Sequence, residues 1–320
     1  MKVHAIQTGV VRVHNRQRTG KGHGFGRFVN TLVDSTWTEW MPIYAWVIEH
    51  PEGVIVVDTG ETARTATPGY FPAWQPYFRF ALKLDVHPEQ EIGPQLRTRG
   101  IGPNDVRWVV MTHMHTDHAG GLAHFPKSEI LISREELRSA RGTIGKVRGY
   151  LPHRWPEWFA PRELAFVPEP LGAFPESYSV TRAGDVRVVR TFGHSAGHVS
   201  VVVEEEDGTL LFLAGDTSYT QQNLVAGVLD GVCSMGGGEA AEAESLARIQ
   251  KLAAERKVVY LPTHDSESAA RLEERRALPT SSPSRAENPA PDRARAPNAS
   301  AHPQKSSRPP SPPPLARSRD

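Results

Sequence analysis

The arrangement of apolar runs in this 320-residue chain predicts a layered α/β fold. Short β-branched runs alternate with amphipathic stretches, and most of those runs end in polar, glycine-containing turns. Histidines and aspartates gather at the same ends, where open α/β sheets place their ligands.

Residues 43–49 and 53–57 read as two strands joined at His50-Pro51-Glu52-Gly53, the second ending in VDTG. The next strand is 107–111. Strands at 185–191 and 199–204 flank FGHSAGH, the strand 209–213 leads to GDTSY, and the strand 258–261 leads to PTHD. Residues 239–256 read as the longest helix, with Ala and Leu recurring on one face and charges on the other. A shorter helix is expected over 137–144, and another over 267–278 closes the domain. No internal repeat is visible.

The folded unit is therefore expected to span 1–278. Residues 279–320 form a Pro/Ser/Arg-rich tail with almost nothing to bury, expected to be disordered with local polyproline character. Arg308, Arg317 and Arg319 among its prolines offer an SH3-like groove a weak ligand. An aromatic segment at 61–96, with Tyr70, Phe71, Trp74, Tyr77, Phe78 and Phe80, interrupts the path between two core strands. Packing of a loop, a wall or lid over a pocket, and a homodimer surface all use such side chains.

Residues 281–320 carry seven Lys/Arg and three Asp/Glu, a net of +4; the whole chain's +1 less that +4 leaves −3 for the first 280 residues. A mildly acidic folded part gives no electrostatic reason to expect nucleic acid as a partner. No stretch approaches the roughly 18 apolar residues of a membrane span. The N-terminus lacks the apolar core of a signal peptide, and the lone Cys233 cannot form an internal disulfide, so the cytoplasm is the expected compartment.

The most specific feature is THMHTDH, which places His113, His115, Asp117 and His118 within six residues directly after a buried run. Neutral imidazoles with a hard carboxylate suit zinc foremost, with cobalt, iron, manganese and nickel also compatible. A zincin helix is excluded, because the first two histidines are two residues apart and Gly120-Gly121 follows at once. His198, Asp216 and His264 each lie near a strand end. Seven groups exceed one tetrahedral ion and suit two divalent ions about 3.5–4 Å apart, sharing a carboxylate. His194, among glycines, is read as a support to the ligands rather than one of them. Asp58 in VDTG either orients a ligand imidazole through a carboxylate hydrogen bond, the favoured reading, or caps a turn.

Together these residues resemble the metallo-β-lactamase superfamily, through VDTG at 57–60, THMHTDHAGG at 112–121, GHSAGH at 193–198, GDTSY at 215–219 and THD at 263–265. The resemblance implies a four-layer αββα sandwich. It implies that His113, His115 and His198 hold one ion, that Asp117, His118 and His264 hold the second, and that Asp216 bridges them. Asp216 fills the place of the cysteine ligand of one penicillin-degrading subclass, and Cys233 matches no ligand motif.

Within the superfamily the chain is most similar to the N-acyl-homoserine lactone lactonases, on Tyr219, three residues after the bridging aspartate, and on GHSAGHVS. That similarity implies hydrolytic opening of a lactone ring by a metal-bridging hydroxide. Tyr219 would hydrogen-bond the carbonyl, and Asp117 would carry a proton to the leaving alkoxide. The implied substrate is a small ester or lactone with an apolar portion. A thioesterase similar to glyoxalase II is the first alternative and needs a cationic pocket, for which Arg141, Lys146 and Arg148 are candidates. Organophosphate or aryl-ester hydrolysis is a second. An RNA phosphodiesterase fits less well, and a non-catalytic interaction module least.

Overall fold

Alternating valines, leucines and isoleucines build two sheets in the computed structural model, which describes residues 1–279 apart from residue 103. The tail expected at 279–320 lies, beyond its first residue, outside the described residues. The strands are β1 (Lys2–Val13), β2 (Met41–Glu49), β3 (Val54–Val57), β4 (Leu82–Asp85), β5 (Val106–Val110) and β6 (Glu129–Ile132). They continue as β7 (Arg162–Glu163), β8 (Tyr178–Ser179), β9 (Val186–Arg190), β10 (Val199–Glu204), β11 (Leu210–Gly215) and β12 (Val258–Pro262). One sheet has the order β4-β1-β2-β3-β5-β6-β7 and the other β12-β11-β10-β9-β8. In the first, β3, β5, β6 and β7 run parallel; in the second, only β11 and β12 do.

The two-residue period of each strand sorts its side chains between layers. Tyr44, Trp46 and Ile48 of β2 enter the space between the sheets, where they join Val57, Val110, Val201, Leu213 and Leu261. Their neighbours of opposite parity, Ala45 and Val47, pack outward with Val56 and Val109 against Ile92, Leu96 and Leu137. On the second sheet, Val202, Phe212 and Tyr260 meet Leu246, Ile249 and Leu252 of the helix Glu239–Glu255. Each fully buried Val, Leu or Ile side chain contributes about 1.5–3 kcal/mol. The layers are thus helix, sheet, sheet, helix, the αββα sandwich the motifs implied.

Several elements differ from the sequence reading. The long β1 was not anticipated; its alternation breaks where the register shifts between Gln7 and Val10, at Gly9 with φ 143°. The helix expected over 137–144 is two helices, Arg134–Ala140 and Gly142–Val147. Arg141 is extended between them, and Gly142 has φ 71°. The closing helix is only Ser268–Glu274, ended by Arg275 in the left-handed conformation. The aromatic segment is not a bare loop: it contains the helix Pro76–Phe80 and β4, which pairs with β1 at the sheet edge. Tyr70, Phe78 and Leu151 form a small cluster beneath Phe71 and Tyr77, while Trp74 and Phe80 are exposed. Among the described residues no helix is long and apolar enough to cross a membrane.

Candidate metal centre

Chain segments leaving β3, β5, β11 and β12, with the loop entering β10, converge on one pocket of polar side chains. The turn after β5 carries His113, His115, Asp117 and His118; His113 and His118 are fully buried. Asp216 follows β11 and His264 follows β12, and both are buried. His113 Nε2 and His194 Nε2 each lie 3.0 Å from His115 Nδ1. Asp216 Oδ2 is 3.4 Å from His194 Nε2, while Asp216 Oδ1 is 3.3 Å from His118 Nε2 and 3.4 Å from His264 Nε2. Asp117 Oδ2 completes the second group at 3.3 Å from His264 Nε2.

These spacings match what a small cation requires. A tetrahedral ion with ligands at about 2.0–2.1 Å has ligand–ligand edges of about 3.3 Å. Three sets of donors, His113/His115/His194, His113/His118/Asp216 and Asp117/His118/His264, each lie mutually within 4.8 Å. His118 Nε2 and Asp216 Oδ1 are buried without a hydrogen-bond partner, although both point into the cluster. Unpaired buried polar atoms are costly, and a cation between them removes the cost.

Titration behaviour reflects the same crowding. Burial, followed by neighbouring histidines, holds His113 well below the usual imidazole range. Burial, then His194, pushes His115 down to about 3. For His194 burial works against the charge, but Asp230 outweighs it and the pKa rises to about 9. Burial likewise opposes charge on His264, and Asp216 with Asp117 lifts it to about 10. Asp216 falls well below the carboxylate range, burial being overcome by His264 and His118.

The structure corrects the sequence reading of the GHSAGH loop. His198 is not one of the converging donors: its Nε2 accepts the Asp216 backbone N–H at 3.0 Å, and its Nδ1 meets Thr191 Oγ1 at 2.9 Å. Strand parity from Val199 puts His198 on the side of Ser200, whose hydroxyl joins the same Thr191 at 2.8 Å. His194 takes the position instead. Gly193, with φ 148°, lets the chain pass where any Cβ would lie 2.4 Å from Glu242 Cα. Gly215, with φ 56°, likewise lets the Asp216 amide reach His198, since a Cβ there would meet His198 Nε2 at 2.7 Å.

A ring of acceptors fixes the imidazoles. Asp58, in the left-handed region at φ 57°, holds His118 Nδ1 at 2.8 Å and accepts the Thr112 N–H and hydroxyl at 2.8 and 2.7 Å. Asp230 Oδ2 holds His194 Nδ1 at 2.6 Å, and the Pro42 carbonyl accepts from His264 Nδ1 at 2.9 Å. Glu136 ties the two histidine loops together, accepting from Met114 N, Ser195 Oγ and Gly197 N. Asp230 and Glu136 had no local signature in the sequence, because each meets its histidine loop only through the fold.

Tyr219 is buried, with its ring stacked on His264 at 5.5 Å between centroids. Burial, then Asp216, pushes its pKa well above the ordinary phenol, so it keeps its proton near neutrality. It borders a cleft of about 810 Å³, open mouth included, onto which His115, Asp117, His194, Asp216 and His264 also face. Val11, Val13, Phe28, Phe78, Leu82 and Val147 form its apolar wall. Of the three uses open to the aromatic segment, Phe78 and Leu82 serve as wall.

Over 232 residues the chain is 28% identical to an N-acyl homoserine lactonase of Bacillus cereus, covering 71% of this chain and 82% of that one. It is 25% identical over 283 residues to the N-acyl homoserine lactonase AttM of Agrobacterium fabrum (strain C58), covering 83% and 90%. A solved N-acyl homoserine lactone hydrolase, with N-hexanoyl-L-homoserine bound at its catalytic metal centre, superposes with TM-score 0.64. At 21% identity it covers 83% of this chain and 94% of that one, a likeness of fold. The profile of the metallo-beta-lactamase superfamily matches residues 38–264, from just before β2 to the last histidine of the cluster, and the chain belongs to that superfamily.

Proposed function

We propose that this protein is a dinuclear metal-dependent hydrolase that opens the ester ring of an N-acyl homoserine lactone. The observation that carries the proposal is Asp216, whose two oxygens face different histidine sets across a cluster of seven donors. His113, His115 and His194 would hold one ion and Asp117, His118 and His264 the other, with Asp216 facing both sets. Zinc fits this donor set best, and cobalt, iron, manganese and nickel suit it too. When bound, such a pair would polarise an ester carbonyl and lower the pKa of bound water to near neutrality.

The chain's own residues do the rest. Asp58, Asp230 and the Pro42 carbonyl hold the imidazoles in one tautomer and orientation. The Tyr219 hydroxyl donates to the carbonyl oxygen as charge develops, and one such donor contributes about 2.7–4 kcal/mol. Asp117 has its pKa lowered to about 2, burial being outweighed by His118 and His264, and it reaches the cleft with 15% of its side chain exposed. Ionised there, it takes up the proton given up by the attacking water and passes it to the leaving alkoxide. The apolar wall takes the acyl chain, each buried methylene contributing about 0.8 kcal/mol. Similarity to two named lactonases supports the substrate class.

A thioesterase reading has one observation in its favour: Arg148 borders the cleft, hydrogen-bonded to Ser139 Oγ at 2.9 Å. A hydrolysis panel separates the two. Metal-replete protein is offered N-acyl homoserine lactones, a glutathione thioester, a bis-phosphate ester and an aryl phosphotriester, with Asp216→Asn as control. The lactones are expected to turn over fastest, and the control to lose turnover of every productive substrate. Preference for the thioester would overturn the lactone assignment.

A further inference from the structure

Tyr219 is not alone in the cleft. Tyr77, from the helix Pro76–Phe80 of the aromatic segment, lines the same space. Between the two phenols sits Gln17, on the short helix Asn15–Arg18 that follows β1. Gln17 Nε2 is 2.7 Å from Tyr219 Oη and 2.9 Å from Tyr77 Oη. The residue is 4% exposed, and its Oε1 is buried without a partner. Its backbone is pinned on both sides, the N–H to the His14 carbonyl and the C=O by the Gly231 N–H.

A primary amide nitrogen carries two hydrogens in a fixed fork. Donating one to each phenolic oxygen uses an acceptor site on each tyrosine and leaves both O–H hydrogens unspent. Those hydrogens have the cleft to donate into, onto which Asp117, Asp216 and His264 also face. An otherwise apolar wall thus carries a second phenol, set by the same amide as the first.

We propose that Tyr77 is a second hydroxyl donor to the acyl group of the substrate, paired with Tyr219, and that Gln17 is the positioning residue that sets both. The assignment rests on the reading of the cleft as an acyl-ester site. Gln17 acts only through the tyrosines: it spares their protons for the ligand by offering them hydrogens instead of acceptors.

The test uses hexanoate, an acyl carboxylate, titrated calorimetrically into metal-replete full-length protein near neutral pH. Tyr77→Phe and Tyr219→Phe keep their rings and should each weaken hexanoate binding roughly tenfold, the loss of one hydrogen bond to a charged group. Gln17→Glu is nearly isosteric; ionised it only accepts, and protonated it donates a single hydrogen to one phenol. In either form it draws at least one phenolic proton away from the cleft and should weaken binding about as much as either phenylalanine, with unchanged metal content. Parent-like binding by Tyr77→Phe or by Gln17→Glu overturns the proposal, as does a parent protein that does not bind hexanoate. A parent that binds hexanoate with this pattern of losses but leaves lactones intact rejects the lactone assignment and keeps the donor pair.

Discussion

Two histidines four residues apart, His194 and His198, take different parts in one loop. Both are buried, both stand among glycines, and nothing in their immediate neighbours separates them. What separates them is tertiary: Asp230, from a distant loop, holds His194 with its Nε2 toward the cluster. The Asp216 amide occupies the corresponding nitrogen of His198. The THMHTDH donors were legible because four of them crowd into one strand end; this choice was not, because it is made by partners far along the chain. His194→Ala should lower bound metal from two ions to one per chain and kcat/KM by more than about a hundredfold. His198→Ala should keep both ions and lose about 1–3 kcal/mol of stability, the cost of an unsatisfied buried N–H. Metal analysis after gel filtration, paired with chemical denaturation, checks both; a one-ion His198→Ala protein would reverse the assignment.

Elements were readable where alternation is clean, as in β10, with Val199, Val201 and Val203 facing the inter-sheet core. β1 escaped notice because Gly9 and the register shift break its period, and β6 because four residues carry too little pattern. The helix Glu239–Glu255 was visible from its apolar stripe, but not the buried acid in its first turn. Glu242 Oε1 accepts from Asp230 N, and its Oε2 has no partner. Burial, then the Asp230 carboxylate, pushes its pKa up to about 8 from 4.5. The folded chain therefore keeps a proton that the unfolded chain releases, and stability falls as pH rises from about 4.5 through about 8. Glu242→Gln removes this dependence. Its melting temperature should gain on the parent steadily across that window; a gap that does not change with pH would contradict the assignment.

At the scale of the whole molecule, the two sheets matter through where their strands stop. Parallel β3 and β5 deliver Asp58 and the THMHTDH turn, and parallel β11 and β12 deliver Asp216 and His264. Two sheets packed face to face thus bring their strand ends together, and no single sheet holds a complete donor set. Alternating strands and helices showed a layered α/β fold, and the sandwich itself was implied only by the family resemblance of the motifs. The cleft did not show, because its wall draws on β1, the aromatic segment and the helix Gly142–Val147, which meet only in three dimensions. The proposed function requires that the sandwich hold two ions that act together on a lactone. Ring opening releases one acid per turnover, so acid release from N-hexanoyl homoserine lactone can be followed by pH-stat while metal-free protein is loaded stepwise with zinc. Activity should rise to a plateau at two ions per chain; a plateau at one, or no ring opening with two bound, would contradict the claim.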